Sequence, residues 1–161
     1  MEYIQGKARP DVDCILCAVR DDDKRVKTLK IYEDDICFVV LNIYPYNPAH
    51  LLVATKQHKI NLLELTRSEI LHIFRAIQGL QLLLNSLYNP KGYNIGINQG
   101  KDAGGSIDHL HFHIVPRYGS ELGFIDIFSQ TRVLPEGLEA VKNKLETNIS
   151  NYLTKEFFEK Y

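Results

Sequence analysis

The chain has 161 residues, 45% of them hydrophobic and 24% charged, with a formal net charge of −1. That length and apolar content suit one domain with a real core. The near-zero charge excludes the broad basic field of a general nucleic-acid binder, while leaving room for a local anion site. No apolar run approaches membrane-spanning length, and Met1 to Val12 lacks the basic-then-apolar pattern of a secretory leader. Three cysteines do not make a disulfide framework, so the expected setting is the cytoplasm, with no membrane and no nucleic-acid partner.

Met1 to Asp13 is polar, with Gly6 and Pro10, and reads as an arm or strap rather than core. Cys14-Ile15-Leu16-Cys17 follows, a C-x-x-C pair that can chelate one metal ion or support redox chemistry. A redox pair normally opens a helix after a strand, whereas this one runs into the charged turn Arg20 to Arg25. Metal is the better reading if two further ligands exist, and His58 and His109 are candidates. Thr28 to Glu33 and Ile36 to Leu41 read as strands joined by a hairpin at Asp34-Asp35, with Cys37 a small core residue. Asn42 to Pro48 is turn-rich, and His50 to Thr55 is a third strand. A hairpin would bring Asn42 and His50 together, although their side chains alone read equally well as a turn-former and a strand start.

Thr66-Arg67-Ser68-Glu69 is a capping box, with Leu65 and Ile70 as its hydrophobic staple. Ile70, Ile73, Phe74, Ile77, Leu80, Leu84 and Leu87 then mark one face of a long helix that ends before Asn89-Pro90. His72 falls off that stripe and reads as a solvated surface residue. Tyr93 to Asn98 alternates as a strand and enters the turn Ala103-Gly104-Gly105-Ser106, whose backbone N–H groups and Ser106 hydroxyl suit an anion.

Asp108-His109-Leu110-His111-Phe112-His113-Ile114-Val115-Pro116-Arg117 carries the strongest signal in the chain. At the period of a strand, His109, His111 and His113 share one face while Leu110, Phe112 and Ile114 share the other. Imidazole titrates nearest neutrality, attacks electrophiles and binds zinc, so three on one ridge point to chemistry. Arg117 to Ile127 is irregular, containing Tyr118, Gly119, Gly123 and Phe124. Pro135-Glu136 opens a second helix through Leu138, Val141, Leu145, Ile149 and Tyr152, and Leu153 to Tyr161 is expected either to pack on a second subunit or to fray.

Asn98-Gln99-Gly100, Ala103 to Ile107 and His109 to Arg117 together resemble the histidine triad (HIT) family, whose signature is His-φ-His-φ-His-φ-φ with φ apolar. The resemblance runs from about Cys14 to Arg117 and more loosely to Leu138. It implies an α+β fold: a five-stranded antiparallel sheet with one long helix and a C-terminal helix, in a single domain with a core at about 14–117 and an extension at 118–161. It also implies a homodimer. Its C-x-x-C members are similar in binding structural zinc, which by motif falls on Cys14, Cys17, His58 and His109, with no catalytic cofactor. The matching Asn42 would bond a nucleotide's ribose, and His50 would line the phosphate side. The extended tail resembles the branch that includes diadenosine tetraphosphate phosphorylases. That branch carries Arg-Trp and then Gly-Asp where this chain has Arg117-Tyr118 and Ser120-Glu121.

The chemistry follows from charge. A phosphorus flanked by anionic oxygens repels an anionic nucleophile, and neutral imidazole avoids that penalty. His111 is the expected nucleophile, forming a nucleotidyl-histidine that water or phosphate resolves. His113 would contact the phosphate or the leaving-group oxygen, and Asn98, Gly105 and Ser106 would meet the phosphoryl oxygens. Adenosine 5′-monophosphoramidates are the alternative substrates, with removal of AMP from DNA ends further off. A non-catalytic nucleotide sensor and a redox or metal-transfer module built on Cys14 and Cys17 complete the set of readings.

Overall fold

A computed structural model describes residues 10–119 and 136–160. Five strands form one antiparallel sheet in the order β1-β2-β3-β5-β4. They are β1 (Lys30–Glu33), β2 (Cys37–Leu41), β3 (Leu51–Thr55), β4 (Gly92–Gly96) and β5 (His111–Arg117). Each falls where the alternation placed it, with boundaries moved by a residue or two. The first hairpin turns on Asp34, whose Oδ1 accepts the N–H groups of Ile36 and Cys37 at 2.8 Å each, an Asx turn that replaces the missing ladder bonds.

Strands β2 and β3 are buried along their whole length because both faces of the sheet are covered. On one face, helices α2 (Arg67–Tyr88) and α3 (Leu138–Ile149) cover Val39, Leu41, Leu51, Val53, Phe112 and Ile114. On the other, helix α1 (Ile15–Arg20) packs Ile15, Leu16 and Val19 on Phe38, Val40, Leu52 and Ala54. Leu52 pairs with His113 and Ala54 with His111, so the imidazoles share the face that α1 partly covers. The period-2 reading of the triad therefore holds for His111 and His113. Helix α1 departs from the expected charged turn. Cys14 acts as its N-cap, its Sγ accepting the N–H of Cys17 at 3.4 Å, so the C-x-x-C pair does open a helix.

Helix α2 starts at the expected capping box. The Glu69 N–H donates to Thr66 Oγ1 at 3.3 Å, and the Thr66 N–H donates to Glu69 Oε2 at 2.8 Å. It ends on Asn89 in the left-handed region (φ 46°), with Pro90 next. Its buried stripe is rotated from the expected one. Ile73, Ile77, Leu80 and Leu84 are buried, joined by Ala76, Gly79 and Leu83, while Ile70 and Phe74 stand exposed.

The rotation has a cause in the chain's own end. Residues Leu153 to Lys160, including helix α4 (Lys155–Glu159), pack on α2 of the same chain. Arg75 sits 4.3 Å from the centre of the Phe157 ring and donates to the Phe157 carbonyl. The His72 ring lies flat on Phe158, with centroids 4.2 Å apart, and its Nε2–H donates to Asp34 Oδ2 at 2.7 Å. His72 is thus a tether between helix, hairpin and tail rather than a solvated residue. The tail thus packs on its own chain through residues 153–160. The features expected at Met1 to Arg9, from Ser120 to Pro135 and at Tyr161 lie outside the described residues. Among the described residues no helix is long and apolar enough to cross a membrane.

Gly79 faces the tail with no room for a side chain. A Cβ there would clash with Leu153 Cδ2 and press on Phe157. Gly79→Val should lower the melting temperature by roughly 5–10 °C, the cost of overpacking a closed interface. Thermal denaturation checks this, and part of the loss should return when Leu153→Ala is added.

Candidate functional site

Four hydrogen bonds fix which ring nitrogen of His50, His113 and His111 carries its proton. An amide N–H can only donate, and that of Tyr46 points at His50 Nδ1 at 3.1 Å. Asn42 Nδ2 donates to the same nitrogen at 3.2 Å, because Asn42 Oδ1 already accepts from the Tyr44 N–H. His50 Nδ1 is therefore bare and its proton sits on Nε2, which donates to His113 Nδ1 at 2.9 Å. His113 in turn must carry its own proton on Nε2. His111 is set the opposite way. Its Nδ1–H donates to the His109 carbonyl at 2.6 Å, leaving Nε2 with a free lone pair. Two neighbouring rings, with centroids 5.0 Å apart, thus differ in function: His111 has a bare Nε2 and His113 a protonated one.

Burial keeps these rings neutral. It holds His50 down to about 3 and His113 to about 4, each helped by neighbouring imidazole charge, and it lowers His111 as well. A histidine whose folded pKa lies below its unfolded value of about 6.5 binds fewer protons folded than unfolded between those two pH values. The stability it contributes is complete above about pH 6.5 and is lost as pH falls, by at most about 1.4 kcal/mol per pH unit for each such group. Urea midpoints should therefore be flat above pH 7 and fall steadily between pH 6 and 4. His50→Gln should flatten that fall.

The first triad residue faces elsewhere. His109 lies just before β5, with its Nδ1 3.3 Å from Cys14 Sγ and 3.5 Å from Cys17 Sγ, and His58 Nδ1 is 3.4 Å from Cys17 Sγ. The four ligand atoms lie within 4.8 Å of one another. Bond lengths of about 2.3 Å to sulfur and 2.0 Å to nitrogen place ligand atoms of a tetrahedral zinc roughly 3.3–3.8 Å apart, so the donor set fits. The tautomer fits too: His109 Nε2–H donates to the Thr55 carbonyl at 2.7 Å, which frees Nδ1 for a metal and fixes the ring plane. His58 owes its place to the next residue. Lys59 is nearly buried and gripped by Glu69, whose carboxylate oxygens lie 2.6 and 2.7 Å away.

The glycine turn differs from expectation in one donor. The Gly105 N–H is turned to the Gly100 carbonyl at 2.9 Å, and a Cβ at Gly105 would sit 2.8 Å from that oxygen and 2.9 Å from the Asn98 carbonyl. Gly105 is needed for this close backbone approach rather than as a phosphate donor. Asn98 lines a cleft beside His113, and Ser106 is exposed on the same turn. Asn42 spends its amide on Tyr44 and His50, so its structural work is to brace His50. Sequence reasoning missed Tyr46, whose ring stacks on His50 at 5.0 Å, and Asn47, buried and bonded to the Pro116 carbonyl at 2.7 Å. Both sit in a loop whose composition shows only turns.

A small antiparallel sheet that presents one bare and one protonated imidazole, beside a Cys/His cluster with metal-site geometry, defines a class of histidine-based α+β proteins. The chain belongs to the HIT family: the profile described as HIT domain matches residues 23–120. A Mycobacterium tuberculosis protein named AP-4-A phosphorylase is 36% identical over 120 residues, covering 74% of this chain and 62% of that protein. A Schizosaccharomyces pombe protein named asymmetrical bis(5′-nucleosyl)-tetraphosphatase is 31% identical over 124 residues, 76% of this chain and 63% of its own length. The chain thus spans somewhat under two thirds of these relatives. The crystal structure of a zinc-bound histidine triad family protein from Mycobacterium smegmatis superposes with a TM-score of 0.67 at 28% identity, covering 86% of this chain and 94% of that one.

Proposed function

We propose that this protein is a single-domain nucleotidyl hydrolase or transferase acting on dinucleoside polyphosphates through a covalent nucleotidyl-His111. The observation that carries the reading is the pair of opposed tautomers, a bare Nε2 on His111 beside an Nε2–H on His113. His111 Nε2 attacks the α-phosphorus, forming the N–P bond as the P–O bond to the departing nucleoside polyphosphate breaks. His113 Nε2–H donates a hydrogen bond to the departing oxygen. The adduct is an imidazolium whose remaining Nδ1–H stays on the His109 carbonyl, so the new positive charge meets a dipole already in place. Asn98 and Ser106 bond the phosphoryl oxygens, and Asn42 offers its remaining amide valence to the ribose. Water or phosphate then attacks phosphorus, the N–P bond breaks and neutral His111 returns.

Zinc at Cys14, Cys17, His58 and His109 is structural in this reading, because four protein ligands leave no open position. It supplies rigidity to the His109 carbonyl. Free Cys14, Cys17 and Cys37 suit a cytoplasmic setting. A homodimer is supported by β4, which ends the sheet with an edge left unpaired among the described residues, and by apolar side chains exposed nearby. Phe74 lies edge-on to Phe112 and is half-exposed, and Ile95, opposite Ile114 on that face, is exposed too. Light scattering should return twice the chain mass, and Phe74→Glu should shift it toward one.

The deciding experiment is incubation with diadenosine tetraphosphate, with and without inorganic phosphate. ADP plus ATP formed only with phosphate identifies a phosphorylase, and AMP plus ATP in water alone a hydrolase. Turnover of adenosine 5′-phosphoramidate alone would move the substrate class to mixed phosphoramidates. Absence of product from every nucleotide would leave a binding protein and sink the reading.

A further inference from the structure

A cleft of about 400 Å³ starts at His113 and follows β5 away from His111 as far as Arg117. We propose that this cleft seats the departing nucleoside polyphosphate, with Arg117 as its phosphate-binding residue and Gly96 as the residue that keeps it open. The inference rests on the proposed nucleotidyl transfer and extends it to what fixes the leaving group.

Position is the first support. Side chains at 113, 115 and 117 alternate onto the catalytic face, and the residues paired with the first two, Gly96 and Asn94 on β4, share it. At the rise of an antiparallel strand, Arg117 lies about 14 Å beyond His113. An amine leaving group ends well short of that, whereas an extended polyphosphate with its nucleoside covers it.

Chemistry is the second. The lining carries one guanidinium, the three carboxamides Asn47, Asn94 and Asn98, and the protonated side of His113, with no carboxylate among its described residues. Arg117 Nη1 donates to Asn94 Oδ1 at 2.8 Å, which holds the planar fork at the edge of the cleft. A guanidinium presents its N–H donors in a planar, permanently charged fork that matches phosphate oxygens two at a time. The aromatic wall is Tyr46, half-exposed and stacked on His50.

Gly96 is the third. A glycine inside a strand weakens it and usually marks a bulge or a close approach. Neither applies here: Gly96 pairs in register with His113, its φ is not in the left-handed region, and a Cβ would meet nothing within 4 Å. What the absent side chain leaves is open space directly beside His113, where the departing oxygen emerges.

The test uses Gly96→Leu, whose Cβ meets nothing within 4 Å and whose branched end fills the cleft, and Arg117→Gln, which keeps a polar N–H donor but removes the charge and shortens the reach. Steady-state kinetics with diadenosine tetraphosphate and adenosine 5′-phosphoramidate give a ratio of kcat/KM values for a long and a minimal leaving group. Both variants should lower that ratio about tenfold or more, since only the long leaving group loses its phosphate contact in Arg117→Gln and its room in Gly96→Leu. Calorimetry with ATP and AMP supplies a readout independent of turnover. Wild type should bind ATP more tightly, and Arg117→Gln should erase most of the difference. A ratio unchanged in both variants, or ATP and AMP binding alike in wild type, overturns the proposal. Should wild type turn over neither substrate, the nucleotidyl-transfer reading fails, and the ATP and AMP titrations still decide whether the cleft holds a polyphosphate.

Discussion

His111→Gly should lose about a thousandfold or more of kcat toward diadenosine tetraphosphate while still binding nucleotide, because the attacking atom is gone and no other bare imidazole nitrogen shares its place. His113 is the nearest ring, with centroids 5.0 Å away. It cannot substitute, because its Nδ1 is engaged by His50 and its Nε2 carries the proton. Added free imidazole should restore part of the rate to the glycine variant, since the small ring can occupy the vacated volume and attack in its stead. Wild type quenched in base, where phosphoramidate bonds survive, should gain the mass of one nucleotidyl group on the peptide containing His111. Full activity in His111→Gly, or a label on another residue, would remove the proposed catalyst. His113→Gln should cost less. It keeps an N–H donor near the departing oxygen but loses the ring that His50 orients.

Stripping the zinc proposed at Cys14, Cys17, His58 and His109, or making Cys17→Ser, should lower the melting temperature by roughly 10 °C. A ligand that binds only the folded chain at about a thousandfold above its dissociation constant adds about 4 kcal/mol. For a chain of this length each kcal/mol moves the midpoint by about 2–4 °C. The chain should nonetheless remain folded, unlike a zinc finger, because the cluster on the α2 face of the sheet does not include the metal group. Activity should fall with the metal for a geometric reason. His109, the proposed zinc ligand, also supplies the carbonyl that holds His111 Nδ1–H at 2.6 Å, so loosening His109 would let His111 sample the wrong tautomer and ring angle. Elemental analysis for zinc, followed by melting with and without a chelator, checks the claim. A chain that melts identically in both would reduce the cluster to two thiols and two imidazoles.

The two expectations differ in how directly the sequence implied them. Alternation of His with Leu, Phe and Ile was enough to place His111 and His113 on one face, because strand geometry permits no other arrangement. The capping box at Thr66 and Glu69 likewise named the start of α2 without help from the rest of the chain. Asp34-Asp35 named its own turn. Local rules of this kind read directly, since the physics involved reaches only three or four residues.

Other features depended on residues far apart in sequence. Cys14 capping a helix, with His109 held 95 residues away beside it, required the start of α1 and the segment before β5 to meet. Gly105 looked like a phosphate donor until the Gly100 carbonyl claimed its N–H. His72 looked solvated until Asp34 and Phe158 closed on it. What the sequence by itself determined is the strand set, the long helix and the sharing of one face by His111 and His113, all written in short-range periodicity. Only the tertiary structure decided which nitrogen of each ring is bare, because a proton's position on imidazole is set by whichever group the fold brings within about 3 Å.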